Sequence, residues 1–69
     1  MIKFGQIAKA RRKSAGLSQQ QVCDALELSH RSDVHRRETG KVKWSLDDVI
    51  RLAALLGITV SELVKDLSE

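Results

Sequence analysis

Apolar positions fall in short runs separated by clusters of Ser, Thr, Gly and charge, and one start signal recurs three times. Leu17-Ser18-Gln19-Gln20-Gln21-Val22 offers a hydroxyl at Ser18 to cap a helix, Gln21 three residues on to reach back, and an apolar pair, Leu17 and Val22, to staple across the cap. Trp44-Ser45-Leu46-Asp47-Asp48-Val49 and Ile58-Thr59-Val60-Ser61-Glu62-Leu63 repeat it. The middle copy is the weaker, because Asp48 is shorter than the Glu or Gln a capping box prefers. Helices are expected to begin near residues 19, 46 and 60.

Ahead of the first signal, Lys3 to Ser14 places Phe4, Ile7 and Ala8 on one side and ends at Ala15-Gly16, where glycine can take the left-handed conformation. The stretch Arg31 to Glu38 is closed by Gly40 and holds one apolar residue, Val34, so its helicity must come from docking rather than propensity. Leu46 to Leu56 is apolar at 46, 49, 50, 52, 53, 55 and 56, too many for one stripe, and is expected to be the central helix. The last helix, Val60 to about Leu67, is amphipathic. Five helices in an all-α domain are the expectation.

Composition narrows this further. A chain of 69 residues has material for one core, so a single domain over 1–69 is expected and a multidomain enzyme is excluded. The single cysteine, Cys23, rules out an internal disulfide and a four-cysteine zinc site, and its mid-helix setting suits packing rather than reactivity. With Phe4 and Trp44 as the only aromatics, the texture of a small sheet protein is missing. His30 and His35 fall on opposite sides of a helix, without the further ligands a metal needs; no metal and no cofactor are expected. The opening residues lack the apolar run of a secretory signal, and no stretch approaches a membrane span, so a cytoplasmic protein is expected.

The net charge of +3 hides an asymmetry. Residues 1 to 43 carry ten Lys or Arg against four acids, and residues 44 to 69 carry two against five. Such polarity suits a polyanion on one side of the molecule. Two helices joined by a turn, the second short, basic and nearly devoid of core residues, form an arrangement in which a helix is held out to be read.

The ordered set Gly16-Leu17-Ser18-Gln19, Val22, Leu26, Val34, Glu38-Thr39-Gly40-Lys41, Ser45-Leu46, Leu52-Ala53 and Leu56-Gly57-Ile58-Thr59-Val60-Ser61-Glu62-Leu63 resembles the helix-turn-helix domain of the lambda-repressor and Cro-like (XRE) family, across residues 4 to about 67. The resemblance implies a compact five-helix domain whose helix-turn-helix spans about 19–38, with the second helix entering the major groove of double-stranded DNA. It places base contacts on Arg31, Ser32, His35 and Arg36, and implies an ion pair between Arg12 and Glu38. Physical reasoning adds phosphate contacts at Gln19, beside the free N–H groups behind Ser18, and at Lys41 and Lys43, with Lys9 and Lys13 as further candidates.

The sequence departs from the family pattern at Glu27, where glycine is usual, and in a turn one residue longer. A longer turn can reverse the chain without a left-handed glycine, and it leaves open where the second helix of the pair begins and whether His30 and Asp33 also face bases. Arg37 stands where an apolar residue is common and is expected to snorkel. Trp44 either staples over Val49 or meets DNA or a partner.

A sequence-specific transcription regulator, acting as a repressor on a pseudo-palindromic operator, is the reading, with no enzymatic activity. A homodimer through Val60, Val64 and Leu67, at i, i+4 and i+7 of the last helix, goes with it. The rival is a protein-interaction module of the same fold, such as an antitoxin that holds a toxin.

Overall fold

The computed structural model describes residues 3–65. Helix α1 spans Phe4–Ser14, α2 Gln19–Ala25, α3 Arg31–Glu38, α4 Leu46–Leu56 and α5 Val60–Val64, with no strand among the described residues. Leu67, and with it the end of the last helix as anticipated from the sequence, lies outside the described residues.

Three of the N-termini form as the sequence dictates, with one reversal. Ser18 and Gln21 make a reciprocal box at α2, and Ser45 and Asp48 make one at α4, Ser45 N–H donating to Asp48 Oδ2 at 3.2 Å. At α5 only half of it forms: Thr59 Oγ1 accepts from Glu62 N–H, while the Glu62 carboxylate turns to Lys65 and Arg11. The short Asp48 succeeds because Arg37 donates to the same Oδ2 and holds the carboxylate in place.

Four helices end alike, with the chain reversing through a left-handed residue. At α1, α3 and α4 this residue is Gly16, Gly40 or Gly57. At α2 it is Glu27, with φ of 57°, and the N–H groups of Glu27 and Leu28 return to the carbonyls of Asp24 and Cys23. The chain therefore reverses here without a glycine, as the longer turn led one to expect, but still through a left-handed residue. The two dangling carbonyls of α2 need those donors whatever residue stands at the turn. Glu27 also reaches across to pair with Arg51 of α4.

One core unites the five helices: Ile7 and Ala8 of α1, Val22, Cys23 and Leu26 at α2, Val34 of α3, Leu52 and Ala53 of α4, and Leu63 of α5. Cys23 is buried there, its thiol donating to the Leu28 carbonyl at 3.3 Å, and burial with Asp24 and Asp33 nearby holds that thiol above its ordinary range. Helix α4 is not wrapped on all sides. It buries Asp48, Leu52 and Ala53, while Leu46 is 72% and Ile50 47% exposed. Its surplus of apolar residues stands in solvent because α1, α2 and α5 cover only one side.

Candidate nucleic-acid interface

Helix α3 has a single apolar anchor, Val34, which is fully buried. One residue of that size buried contributes about 1.5–3 kcal/mol, too little to fix the pose of an eight-residue helix. The rest comes from charge. Arg12 Nε donates to Glu38 Oε2 at 2.7 Å and its Nη2 to Oε1 at 3.3 Å, with side chains only 10% and 2% exposed. A third guanidinium bond, to the Leu17 carbonyl, ties the same arginine to the turn before α2.

A second buried pair was not anticipated. Arg37 Nε donates to Asp48 Oδ2 at 3.0 Å, joining the end of α3 to the start of α4, so Arg37 is a clamp rather than a snorkelling surface residue. Burial acts most strongly on the Asp48 carboxyl and opposes its charge. The Arg37 hydrogen bond, the Ser45 N–H, the Arg37 charge and the Ser45 hydroxyl together outweigh burial and hold the carboxyl below its ordinary value. Sequence held a clue in an arginine at an apolar position eleven residues before a capping aspartate.

Backbone contacts complete the seat. Trp44 Nε1 donates to the Arg37 carbonyl at 3.0 Å while its ring meets Phe4 edge to face at 5.0 Å, so its indole is a structural strut. On the other side α1 comes so near that a Cβ built on Gly5 would lie 2.6 Å from the carbonyl oxygens of both Arg37 and Glu38. Glycine is required there by close approach, and nothing in its spacing announced it.

With Val34, Arg37 and Glu38 turned inward, the other side of α3 faces water. Arg31, Ser32, His35 and Arg36 are all exposed. Arg36 is loosely tethered, its Nη1 at 3.4 Å from Asp33 Oδ1, and Asp33 itself is half-buried. His30 is the exposed N-cap of α3 and makes no capping bond. The helix begins at Arg31, which fixes the boundary that the longer turn left open.

The cations proposed for phosphates are gathered around this helix. Lys9 and Lys13 line a shallow groove of about 720 Å³ with Lys3 and with Thr39 and Gly40 at the end of α3. Lys41 and Lys43 are exposed in the loop that follows. Gln19 differs from expectation in direction: its side-chain amide donates inward to Glu38 Oε1 at 3.2 Å, because that oxygen is held only loosely by Arg12.

The strip anticipated on the last helix is partly committed to the fold. Val60 packs half-buried against the core, and Val64 lines a groove with Phe4, Val42 and Trp44.

Two helices crossing through a left-handed turn, the second locked at its inner side and polar at its outer side, define a helix-turn-helix of the DNA-binding class. A family model described as a helix-turn-helix domain matches residues 3–65, and the chain belongs to that family. The match agrees with the resemblance to lambda-repressor and Cro-like domains. No curated protein matches the chain. Among the described residues, no helix is long and apolar enough to cross a membrane.

Proposed function

We propose that this chain is a sequence-specific, non-enzymatic regulator of transcription that represses by occupying a pseudo-palindromic operator in the cytoplasm as a homodimer. The observation that carries it is the division of α3: every inward residue is an anchor, and Arg31, Ser32, His35 and Arg36 are left exposed together. In this reading Arg31 or Arg36 grips the O6 and N7 of a guanine, and Ser32 and His35 contact neighbouring bases. Lys9, Lys13, Lys41, Lys43 and the N-terminus of α2 at Gln19 hold the flanking phosphates.

Selection of bound sites from random duplex DNA tests it. Half-sites about one DNA turn apart, roughly 34 Å, are expected. Arg36→Ala or Arg31→Ala should relax preference at one G·C pair per half-site by about 1–3 kcal/mol, whereas Lys41→Ala and Lys43→Ala weaken all sequences alike. Neutralising about four to six phosphates per domain gives a log–log salt slope of roughly −4 to −5. If all four variants behave identically across single-base variants of the site, α3 does not read bases, and the protein-interaction reading takes precedence.

A further inference from the structure

Helix α3 carries two acids, and they are placed differently. Glu38 is committed to the seat, buried against Arg12, whereas Asp33 stands in the first turn with its side chain 26% exposed. The Asp33 backbone carbonyl accepts from Arg37 Nη1 at 3.2 Å, and Arg37 is clamped to Asp48, so the position of Asp33 is set from inside the domain. Its carboxylate oxygen Oδ1 accepts from Arg36 Nη1 at 3.4 Å, one turn further along, where Arg36 is 57% exposed. Arg31, the other exposed arginine of the helix, makes no ion pair or side-chain hydrogen bond among the described residues. An exposed i,i+3 pair adds little to stability. Its effect is on the arginine, which it holds to one side of the helix.

We propose that Asp33 is a positioning residue for base reading: it holds Arg36 by Nη1 and leaves the Nε–Nη2 edge of the guanidinium to grip the O6 and N7 of a guanine. This rests on the reading of α3 as the helix that reads bases, and it assigns the guanine to Arg36 rather than to Arg31. The guanidinium is a rigid plane with five N–H donors, and a bond at Nη1 leaves the opposite edge complete. That edge is the one by which Arg12 holds both oxygens of Glu38. A free arginine beside DNA can turn to a phosphate, which every sequence offers, whereas turning Arg36 there breaks its bond to Asp33. The carboxylate is itself repelled by the phosphates. Asp33 therefore lowers affinity for all DNA and raises discrimination at one base pair, two effects of opposite sign.

The test measures binding of the full chain to the site selected from random duplex DNA, to its single-base variants and to unrelated duplex at fixed salt. Asp33→Ala should lose roughly three- to tenfold of the preference at the G·C pair that Arg36→Ala relaxes, keep discrimination elsewhere, and bind unrelated duplex roughly two- to fivefold more tightly. Made in Arg36→Ala, the same change should remove no further preference. Asp33→Glu, whose carboxylate still reaches residue 36, should restore most of the preference, and Asp33→Asn, which keeps the shape, should shift both quantities in the direction of Asp33→Ala; thermal melts establish that each variant is folded. Unchanged discrimination in Asp33→Ala, or weaker binding to every sequence alike, overturns the proposal and leaves Asp33 a structural residue of the helix start. Loss at a different pair that persists in Arg36→Ala makes Asp33 a base reader in its own right, accepting from cytosine N4, and overturns it as well. So does a G·C pair relaxed by Arg31→Ala and not by Arg36→Ala. In all of these the regulator reading stands, whereas a wild type that selects no site overturns that reading and this one together.

Discussion

Glu38 is the residue on which the seat of α3 depends most, and Glu38→Ala tests that most directly. The wild-type carboxylate accepts from Arg12 at 2.7 and 3.3 Å and from Gln19 at 3.2 Å, and its side chain is 2% exposed. Removing it leaves the Arg12 guanidinium, 10% exposed, with the Leu17 carbonyl as its one remaining partner. A buried charge stranded this way costs about 3–5 kcal/mol, against at most ~1 kcal/mol for breaking an exposed pair. A domain of this size has only about 3–10 kcal/mol of stability in total. Glu38→Ala is therefore expected to lie near its unfolding midpoint without denaturant.

The assay is a double-mutant cycle. Urea titrations of wild type, Arg12→Ala, Glu38→Ala and the double mutant are followed by helical circular dichroism and by the fluorescence of Trp44. The singles should each lose about 3 kcal/mol or more, and the double far less than their sum, giving a coupling of about 2–3 kcal/mol. Replacing both partners by apolar residues, Arg12→Met/Glu38→Leu, should recover much of the loss, because the cost lies in the stranded charge rather than in the missing attraction. A coupling within about 0.5 kcal/mol of zero would falsify the account of how α3 is held.

Three further outcomes follow from the same seat. Gly5→Ala gains helix propensity of about 1 kcal/mol but drives a methyl to 2.6 Å from two backbone carbonyl oxygens, which cannot move without displacing α3. A net loss of about 1–3 kcal/mol with a change in Trp44 fluorescence is expected, and an equal or raised melting temperature would show that α1 yields freely. Asp48 titrates below its ordinary 3.8 in the folded chain, so the unfolded chain binds the proton first as pH falls. Its contribution is full above 3.8 and disappears as pH drops through the lower folded value. Urea midpoints from pH 6 to 2.5 should show the gap between wild type and Asp48→Asn closing below about pH 4, and a gap unchanged over that range rules out the charge as its source. Glu27→Gly relieves a left-handed glutamate at about 1 kcal/mol and gives up an exposed pair with Arg51 at less than that. A small gain in melting temperature is expected; a loss above about 1 kcal/mol would mean that the Arg51 link outweighs the backbone strain.

Local signals were the legible part of this fold. A hydroxyl with a carboxamide or carboxylate three residues on marks a helix start from the chain alone, because both partners lie within one turn; α2, α4 and α5 begin at Gln19, Leu46 and Val60. Glycine after a periodic stretch marks the end for the same reason. What stayed illegible depends on pairs distant in sequence. Gly5 against Arg37 and Glu38, and the cover over α4, are set by how helices cross, which no window of neighbouring residues contains. The excess of apolar residues in Leu46 to Leu56 was read as centrality, but hydrophobic content alone does not separate a surrounded helix from one with an apolar surface left outside. The left-handed conformation of Glu27 was not legible either, because the end of a helix demands that reversal from the backbone, and side-chain preference only sets what it costs.

The same contrast explains why α3 is anchored as it is. A helix that must present a polar outer side to its ligand has few positions left for apolar anchors, and over eight residues Val34 is the one available. Buried ion pairs resolve the conflict: an arginine or glutamate on the inner edge can be tied by two or three directed bonds, which fix rotation about the helix axis as a smooth apolar contact does not. They also separate two functions that both rest on charge. In the proposed reading, surface lysines such as Lys41 and Lys43 act through a field that salt screens within about 8–10 Å, whereas Arg12–Glu38 and Arg37–Asp48 lie where salt has little access. Raising ionic strength therefore weakens the grip of the surface cations on a polyanion while leaving the pose of the helix intact.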